Sequence, residues 1–345
     1  MKARTAWRYL GRPIVAAWLV VSILFLLTRA VSNNTSFIQA TLEADSRLQL
    51  AEREQLTQQL LHRSGLDRPL FYVSFHPITG WQWQGIHNQY HAWASRLLHA
   101  DLGLSYRSQN PVSELLVEAL RYTLPLTVLA ALLSLGLGLG VATGLHLTSP
   151  PRRTAVLTAL QALQAAPLFL IATGLLLLFA NPDFLDWFPS FGLGTEEETT
   201  AWWQLPGRQL YYLALPVFSL VLVSTPPLII QLDGALQQEL QQLYVVTARA
   251  KGASQRQVIW RHALRNAFLP TLTLLSELLP NLVAGAVVVE VLFALPGMGR
   301  LLAEAAATQD HPVLLGGVVL IVVTRVVAQL LADGAYRLAD PRIRL

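Results

Sequence analysis

"ARAKGASQRQVIWRHALRNAFLP", residues 248 to 270, carries five Lys or Arg residues and one His between two long apolar stretches. The chain around it is 53% apolar and only 13% charged over 345 residues, too apolar for an ordinary soluble domain of this length. That composition is a membrane protein's. The formal net charge is +4, yet the basic residues cluster between apolar runs and not on an aromatic-interleaved face, so they point to membrane lipid and to no nucleic acid. With no cysteine, the chain has no disulfide framework, thiolate metal site or Cys nucleophile.

A bilayer core needs about 20 predominantly apolar residues per helix. Six stretches meet this: Pro13 to Val31, Leu124 to Leu147, Ala155 to Ala180, Leu210 to Gln231, Ala267 to Phe293 and Val313 to Ala332. Lys2, Arg4, Arg8 and Arg12 precede the first, which is too long for a signal peptide and lacks a small-residue cleavage site, so it reads as a retained helix. The positive-inside rule then places both termini in the cytoplasm. Arg152, Arg153, the 248–265 cluster and Arg337, Arg342 and Arg344 all fall on that side. The loop with Asp183, Asp186, Glu196, Glu197 and Glu198 against a single Arg208 falls outside. Three regions follow: a cytoplasmic N-terminus and first span (1–31), an extracytoplasmic subdomain (32–121), and a transmembrane core (122–345) with a cytoplasmic loop at about 232–266. In the outer subdomain, Leu48, Leu56, Leu60 and Leu61 among polar residues predict an amphipathic helix. Trp81, Trp83, Tyr90 and Trp93 pack that subdomain, sit at lipid headgroups or form a docking surface.

Signals for chemistry are sparse. "GLGLGVATG" (136–144) lacks the Lys and Ser/Thr of a phosphate loop and lies inside a span, where small residues allow close helix contact. Neither a His-Glu-x-x-His zinc pattern nor a Gly-x-Ser-x-Gly nucleophile turn occurs. His87 and His91 lie four apart with His76 and His99 nearby, but no carboxylate stands at ligand spacing, and no metal site is assigned. Within the spans, Glu277 and Asn281 share one helix face, the pattern of a translocation path or of helix-to-helix hydrogen bonding; Arg325 is a possible partner of Glu277.

The opening segment lies between the fourth and fifth spans. Ala248 to Lys251 favour helix, Gly252 permits a turn, and Ser254 caps a second short helix through Val258, Ile259 and Ala263. Two short helices bent at a glycine and rich in basic donors form a lever that a soluble partner can clasp; the plainer alternative is a basic loop on anionic headgroups.

"TARAKGASQRQVIWRHALRNAFLP" (247–270) resembles the signature loop of ABC importer inner-membrane permeases, in the binding-protein-dependent branch that carries dipeptides, oligopeptides and nickel. "GLDRPL" (65–70), "DLGLSYRSQNPVSELL" (101–116), "TLPLTVLAALLSLGLGLGVATG" (123–144), "APLFLIATGLLLLF" (166–179), "VVVEVLFALPGMGRLLAEAAATQDHPVLLGGVVL" (287–320) and "DPRIR" (340–344) resemble other family segments in the right order. The resemblance implies an all-α type I importer fold of six transmembrane helices in a bacterial cytoplasmic membrane. It implies as partners a second homologous permease, two ATPase subunits that bind ATP and Mg, and an extracytoplasmic substrate-binding protein, with no cofactor on this chain. Matched to the family's loop, the ATPase-coupling residues are Ala248, Arg249, Ala250, Lys251, Gly252, Ala253, Val258, Arg261, His262, Arg265 and Asn266, which dock and transfer force without catalysing. The chain departs from the family's pattern at "SNNTSF" (32–37), in its longer Trp-rich outer stretch, and at Asp233 and the Gln-rich run before the loop.

A self-contained channel or an ion-coupled transporter is the competing class; it calls for intramembrane carboxylates and usually an internal repeat, and the sequence shows only Glu277 well inside an expected span and no convincing repeat. A membrane hydrolase lacks a recognisable nucleophile and base.

Overall fold

The structure, a computed structural model, describes residues 11–31, 58, 67–76, 80–190 and 206–339. Helices dominate these residues. In chain order they are α1 (Arg12–Val31), α2 (Gln89–Leu98), α3 (Val112–Leu145), α4 (Pro150–Gln164), α5 (Leu168–Phe179), α6 (Pro206–Glu239), α7 (Leu243–Ala250), α8 (Gln255–Val258), α9 (Leu264–Leu292), α10 (Met298–Ala307) and α11 (His311–Ala339). A β-hairpin, β1 (Val73–His76) with β2 (Gly80–Trp83), precedes α2, and a π-helical turn at Ile259–Ala263 joins α8 to α9. The acidic cluster Glu196 to Glu198, "SNNTSF", "DPRIR" and, but for Gln58, the amphipathic helix expected through Leu48 to Leu61 lie outside the described residues.

Among the described residues three helices are long and apolar enough to cross a membrane: Val112–Leu145, Leu210–Glu239 and His311–Leu330. The expected third span, one helix from Ala155 to Ala180, needs correction. It is two helices, α4 and α5, that meet at 99°. Pro167 is the cause: it has no N–H to donate and disfavours helical geometry at Ala166, while its own extended backbone (ψ 142°) starts a new helix by accepting from the amides of Leu170 and Ile171. If the bent pair counts as one span, four are present. The apolar parts of α1 (Ile14–Arg29) and α9 (Asn281–Leu292) are shorter.

The chain forms two compact units, Met1–Val117 with Glu304–Val323, and Glu118–Ala303 with Thr324–Leu345. In the first unit, α2 packs on α1 through aromatic side chains: Phe25 stacks on Trp93 with ring centroids 4.5 Å apart, and the Tyr90 and Ser22 hydroxyls lie 2.8 Å apart. Asp310, 4% exposed and adjacent to the start of α11, accepts the Ser105 hydroxyl at 2.5 Å and the Tyr106 amide at 3.1 Å. A carboxylate at a helix N-terminus is also favoured by the helix dipole.

The second unit has two apolar clusters. One gathers Leu126, Leu220, Leu282, Val289 and Phe293, with α5, α6 and α9 packed on one another. The other joins Ala142 and Leu145 of α3 to Ile229, Leu232 and Leu236 of α6 and to Ile259, Ala263 and Ala267. Buried charge reinforces both. Asp233, 3% exposed, receives a two-pronged contact from Arg153 (Nε 2.9 Å, Nη2 2.7 Å), and His146 Nε2 lies 3.2 Å from the same carboxylate. Arg153, one of the basic residues in the sequence pattern, is therefore a structural partner.

Glu290 in α9 has no accessible surface. One carboxylate oxygen accepts the Thr123 hydroxyl at 2.6 Å; the other accepts the Gly299 and Arg300 amides at 2.6 and 3.2 Å, and the Met298 amide donates to Thr123 Oγ1 at 2.8 Å. The motif "PGMG" is small for this reason, since a methyl group at Gly297 would occupy the space of the Glu290 carboxylate. Glu290→Gln places an amide NH2 among amide donors, and a buried group left unsatisfied costs about 1–3 kcal/mol. The variant is expected to unfold at lower temperature than the parent in detergent, with wild-type thermal stability as the contrary result.

Candidate functional site

The basic segment is built as a rigid projection. Helix α7 ends in a two-bond cap: the Gly252 amide donates to the Arg249 carbonyl at 2.9 Å and the Ala253 amide to the Ala248 carbonyl at 3.1 Å. This arrangement needs a left-handed residue after the cap, and Gly252 supplies it with φ +84°. Ser254 then caps α8 reciprocally with Gln257: the Gln257 amide donates to Ser254 Oγ and the Ser254 amide to Gln257 Oε1. Arg249 reaches across the turn to Gln255 Oε1 at 2.9 Å.

After the turn the expectation of a second short helix is corrected. Helical backbone runs unbroken from Gln255 through the π-helical turn to Leu292, so the segment beyond Gly252 is the head of α9. The π turn adds a residue, with the Leu264 amide donating to the Ile259 carbonyl. It keeps Val258, Ile259, Ala263 and Ala267 fully buried on one side.

The other side is open. Arg249, Ala250, Lys251, Gly252, Arg261, His262, Arg265 and Asn266 are exposed, Ala248 and Ala253 are half-buried, and Val258 is buried and anchors the segment. Three apolar residues that sequence reasoning passed over, Leu243 (84% exposed), Val246 (60%) and Trp260 (48%), share this exposure. Their signal was large apolar side chains at i and i+3 beside a basic run.

A clasp fixes the base of the projection. Glu239, the last residue of α6, accepts the Tyr244 hydroxyl at 2.6 Å and the Asn266 side-chain amide at 3.2 Å. Burial, and then the bond to Glu239, push the Tyr244 hydroxyl up to about 12, so it stays a donor at neutral pH.

Glu277 and Asn281 do share a face. Both are exposed, and with Ser224 they are the polar lining of an otherwise apolar cleft of about 240 Å³ between α5, α6 and α9. Arg325 is exposed, and among the described residues no ion pair joins it to Glu277. His91 bonds the Tyr72 hydroxyl through Nδ1 at 2.9 Å, and among the described residues no group of three or more ligand side chains converges.

Residues 134–345, from within α3 to the end, match the family described as binding-protein-dependent transport system inner membrane component. The chain belongs to that family. The oligopeptide transport system permease protein AppB of Bacillus subtilis (strain 168) is 32% identical over 306 residues, 88% of each chain. The dipeptide transport system permease protein DppB of Escherichia coli (strain K12) is 32% identical over 305 residues, 83% of this chain and 84% of that one. The structure also resembles the inward-facing MetNI methionine ABC transporter, with a TM-score of 0.53 at 17% identity over 66% of this chain and 96% of that one, a likeness of fold. The protein is thus an ABC importer permease, an inner-membrane transport subunit whose family leaves ATP hydrolysis to partner subunits.

In a permease built this way, Gly252 is the residue whose backbone cannot be imitated. Proline holds φ near −65° and is excluded from the turn. Gly252→Pro should leave membrane insertion intact and lower ATP-driven uptake in proteoliposomes roughly tenfold or more, because the cap cannot close. Uptake at the parental rate contradicts this role.

Proposed function

We propose that this permease forms half of a translocation pathway for peptides or a related small solute, and that the 248–266 segment couples it to a cytoplasmic ATPase. The observation that carries the reading is the projection itself: a capped, left-handed turn with basic and apolar side chains facing outward, clasped at its base to α6 and continuous with α9. A partner that moves the exposed turn moves α9 with it, since helical backbone links the two without a break. Peptide chemistry is taken from the relatives named as oligopeptide and dipeptide permeases.

In this reading six spans cross the bacterial cytoplasmic membrane, with α1 as the first, the bent α4 and α5 as the third, and both termini inside. Residues 1–31, 32–121 and 122–345 serve as first span, extracytoplasmic subdomain and permease core. The working assembly pairs the chain with a second homologous permease, two ATPase subunits that hold ATP and Mg, and an external substrate-binding protein. Glu277 and Asn281 line the path, with the Glu277 carboxylate offering a counter-charge to a cationic group such as a peptide N-terminal ammonium.

That role is open to measurement. Loss of one hydrogen bond to a charged group, about 1.5 kcal/mol, corresponds to roughly a tenfold change in apparent affinity. Glu277→Gln should therefore raise the substrate concentration for half-maximal uptake by about tenfold for amino-terminally charged peptides and leave amino-acetylated peptides unaffected. An unchanged concentration dependence for both returns Glu277 to a structural role.

A further inference from the structure

The β1–β2 hairpin of the first unit has two unlike faces. Its antiparallel register pairs Val73 with Trp83 and Phe75 with Trp81, so these four side chains stand on one side. Ser74, His76 and Gln82 stand on the other, where Gln84 Nε2 donates to Ser74 Oγ at 2.8 Å. Among the described residues this side is largely exposed: Phe75, Trp81 and Trp83 are 62%, 75% and 72% exposed, with Phe75 and Trp81 edge to face at 5.3 Å and Trp83 stacked on Tyr72 at 5.9 Å. A two-stranded hairpin alone is marginal in water, and three exposed aromatic rings on it need a cover.

Position and charge indicate which cover. From Leu70 to Ser95 there is no Asp, Glu, Lys or Arg. The hairpin leads directly into α2, and Tyr90 and Trp93 of α2 seat on Trp18, Ser22 and Phe25 of α1. Those contacts fall within the apolar run Ile14–Arg29, not past its end, and extend over about 10 Å of helix at 1.5 Å per residue. The hairpin is thereby joined, through α2, to the stretch Trp18–Phe25 of α1. A water-soluble protein that docks and leaves favours complementary charge, and this segment carries no Asp, Glu, Lys or Arg. Trp, with an apolar ring and one N–H, suits the headgroup layer.

We propose that the Val73–Trp83 hairpin is an interfacial membrane anchor, with Val73, Phe75, Trp81 and Trp83 set into the outer-leaflet surface of the bilayer. The proposal rests on α1 being a membrane span. Because the chain has no cysteine, single labels are clean. Spin labels at Trp81→Cys, Gln82→Cys and Ile23→Cys, in the complete transporter with cysteine-free partners in phospholipid nanodiscs, report their accessibility to oxygen, which enters lipid, and to a nickel chelate, which stays in water. Ile23 is exposed on α1 and tests the span itself. The expected result is oxygen preference at Ile23 and an oxygen-to-chelate ratio at Trp81 about threefold or more above that at Gln82. Oxygen preference at Ile23 with equal, chelate-dominated values at Trp81 and Gln82 overturns the anchor and leaves the span standing; a misfolded hairpin gives the same pattern and counts against the proposal unless Val73→Cys, labelled separately, shows the ratio expected of Trp81. Chelate preference at Ile23 removes the span and the anchor together. Chelate exclusion at Trp81 only after the substrate-binding protein is added assigns the face to that protein and likewise overturns the anchor.

Discussion

A buried carboxylate is tolerated when its lone pairs are met by donors, and that constraint organises this permease. Glu290, Asp233 and Asp310 are each under 5% exposed, and each is met by at least one residue 80 or more positions away in the chain. Glu290 holds Thr123 and the first amides of α10; Asp233 holds Arg153 and His146; Asp310 holds Ser105 and the Tyr106 amide. Apolar packing in lipid is weakly directional, so these polar contacts specify which helix faces which.

A half-buried carboxylate plays a similar part beside the basic turn. Glu239 ties α6 to Tyr244 before the turn and to Asn266 after it, so both arms of the projection are referred to one helix end. Below them, Val245, Val258, Ile259, Ala263 and Ala267 have no exposed surface. This packing supports the proposal that the basic turn transmits displacement. Its outward face adds Leu243, Val246 and Trp260 to the charges, and such mixed surfaces suit a stable docked partner better than charge alone.

The apolar runs of α3, α6 and α11 were legible in the sequence, because run length follows directly from bilayer thickness. Gly252 and Ser254 announced a turn and a cap by residue type, and both act as such. Hydropathy, in contrast, passed straight over Pro167, since an average over the window cannot register one missing N–H. Asp233 read as a departure in a Gln-rich run because its partners lie 80 and 87 residues away. The π turn left no compositional mark, and with it went the expectation that the second coupling helix is separate from α9. The hairpin's alternation of Val73, Phe75, Trp81 and Trp83 was present, but two four-residue strands are too short for periodicity to stand out from an aromatic-rich loop.

The claim that the basic turn is the docking element for an ATPase is tested most directly by thiol cross-linking from Lys251→Cys, the sole cysteine such a variant would contain. In the transporter purified gently from its host, a short bifunctional maleimide at this position should capture an ATPase subunit, with a yield that changes when ATP is added. An ATP-hydrolysing complex in which that cysteine stays fully open to a water-soluble reagent and captures no subunit would contradict the account.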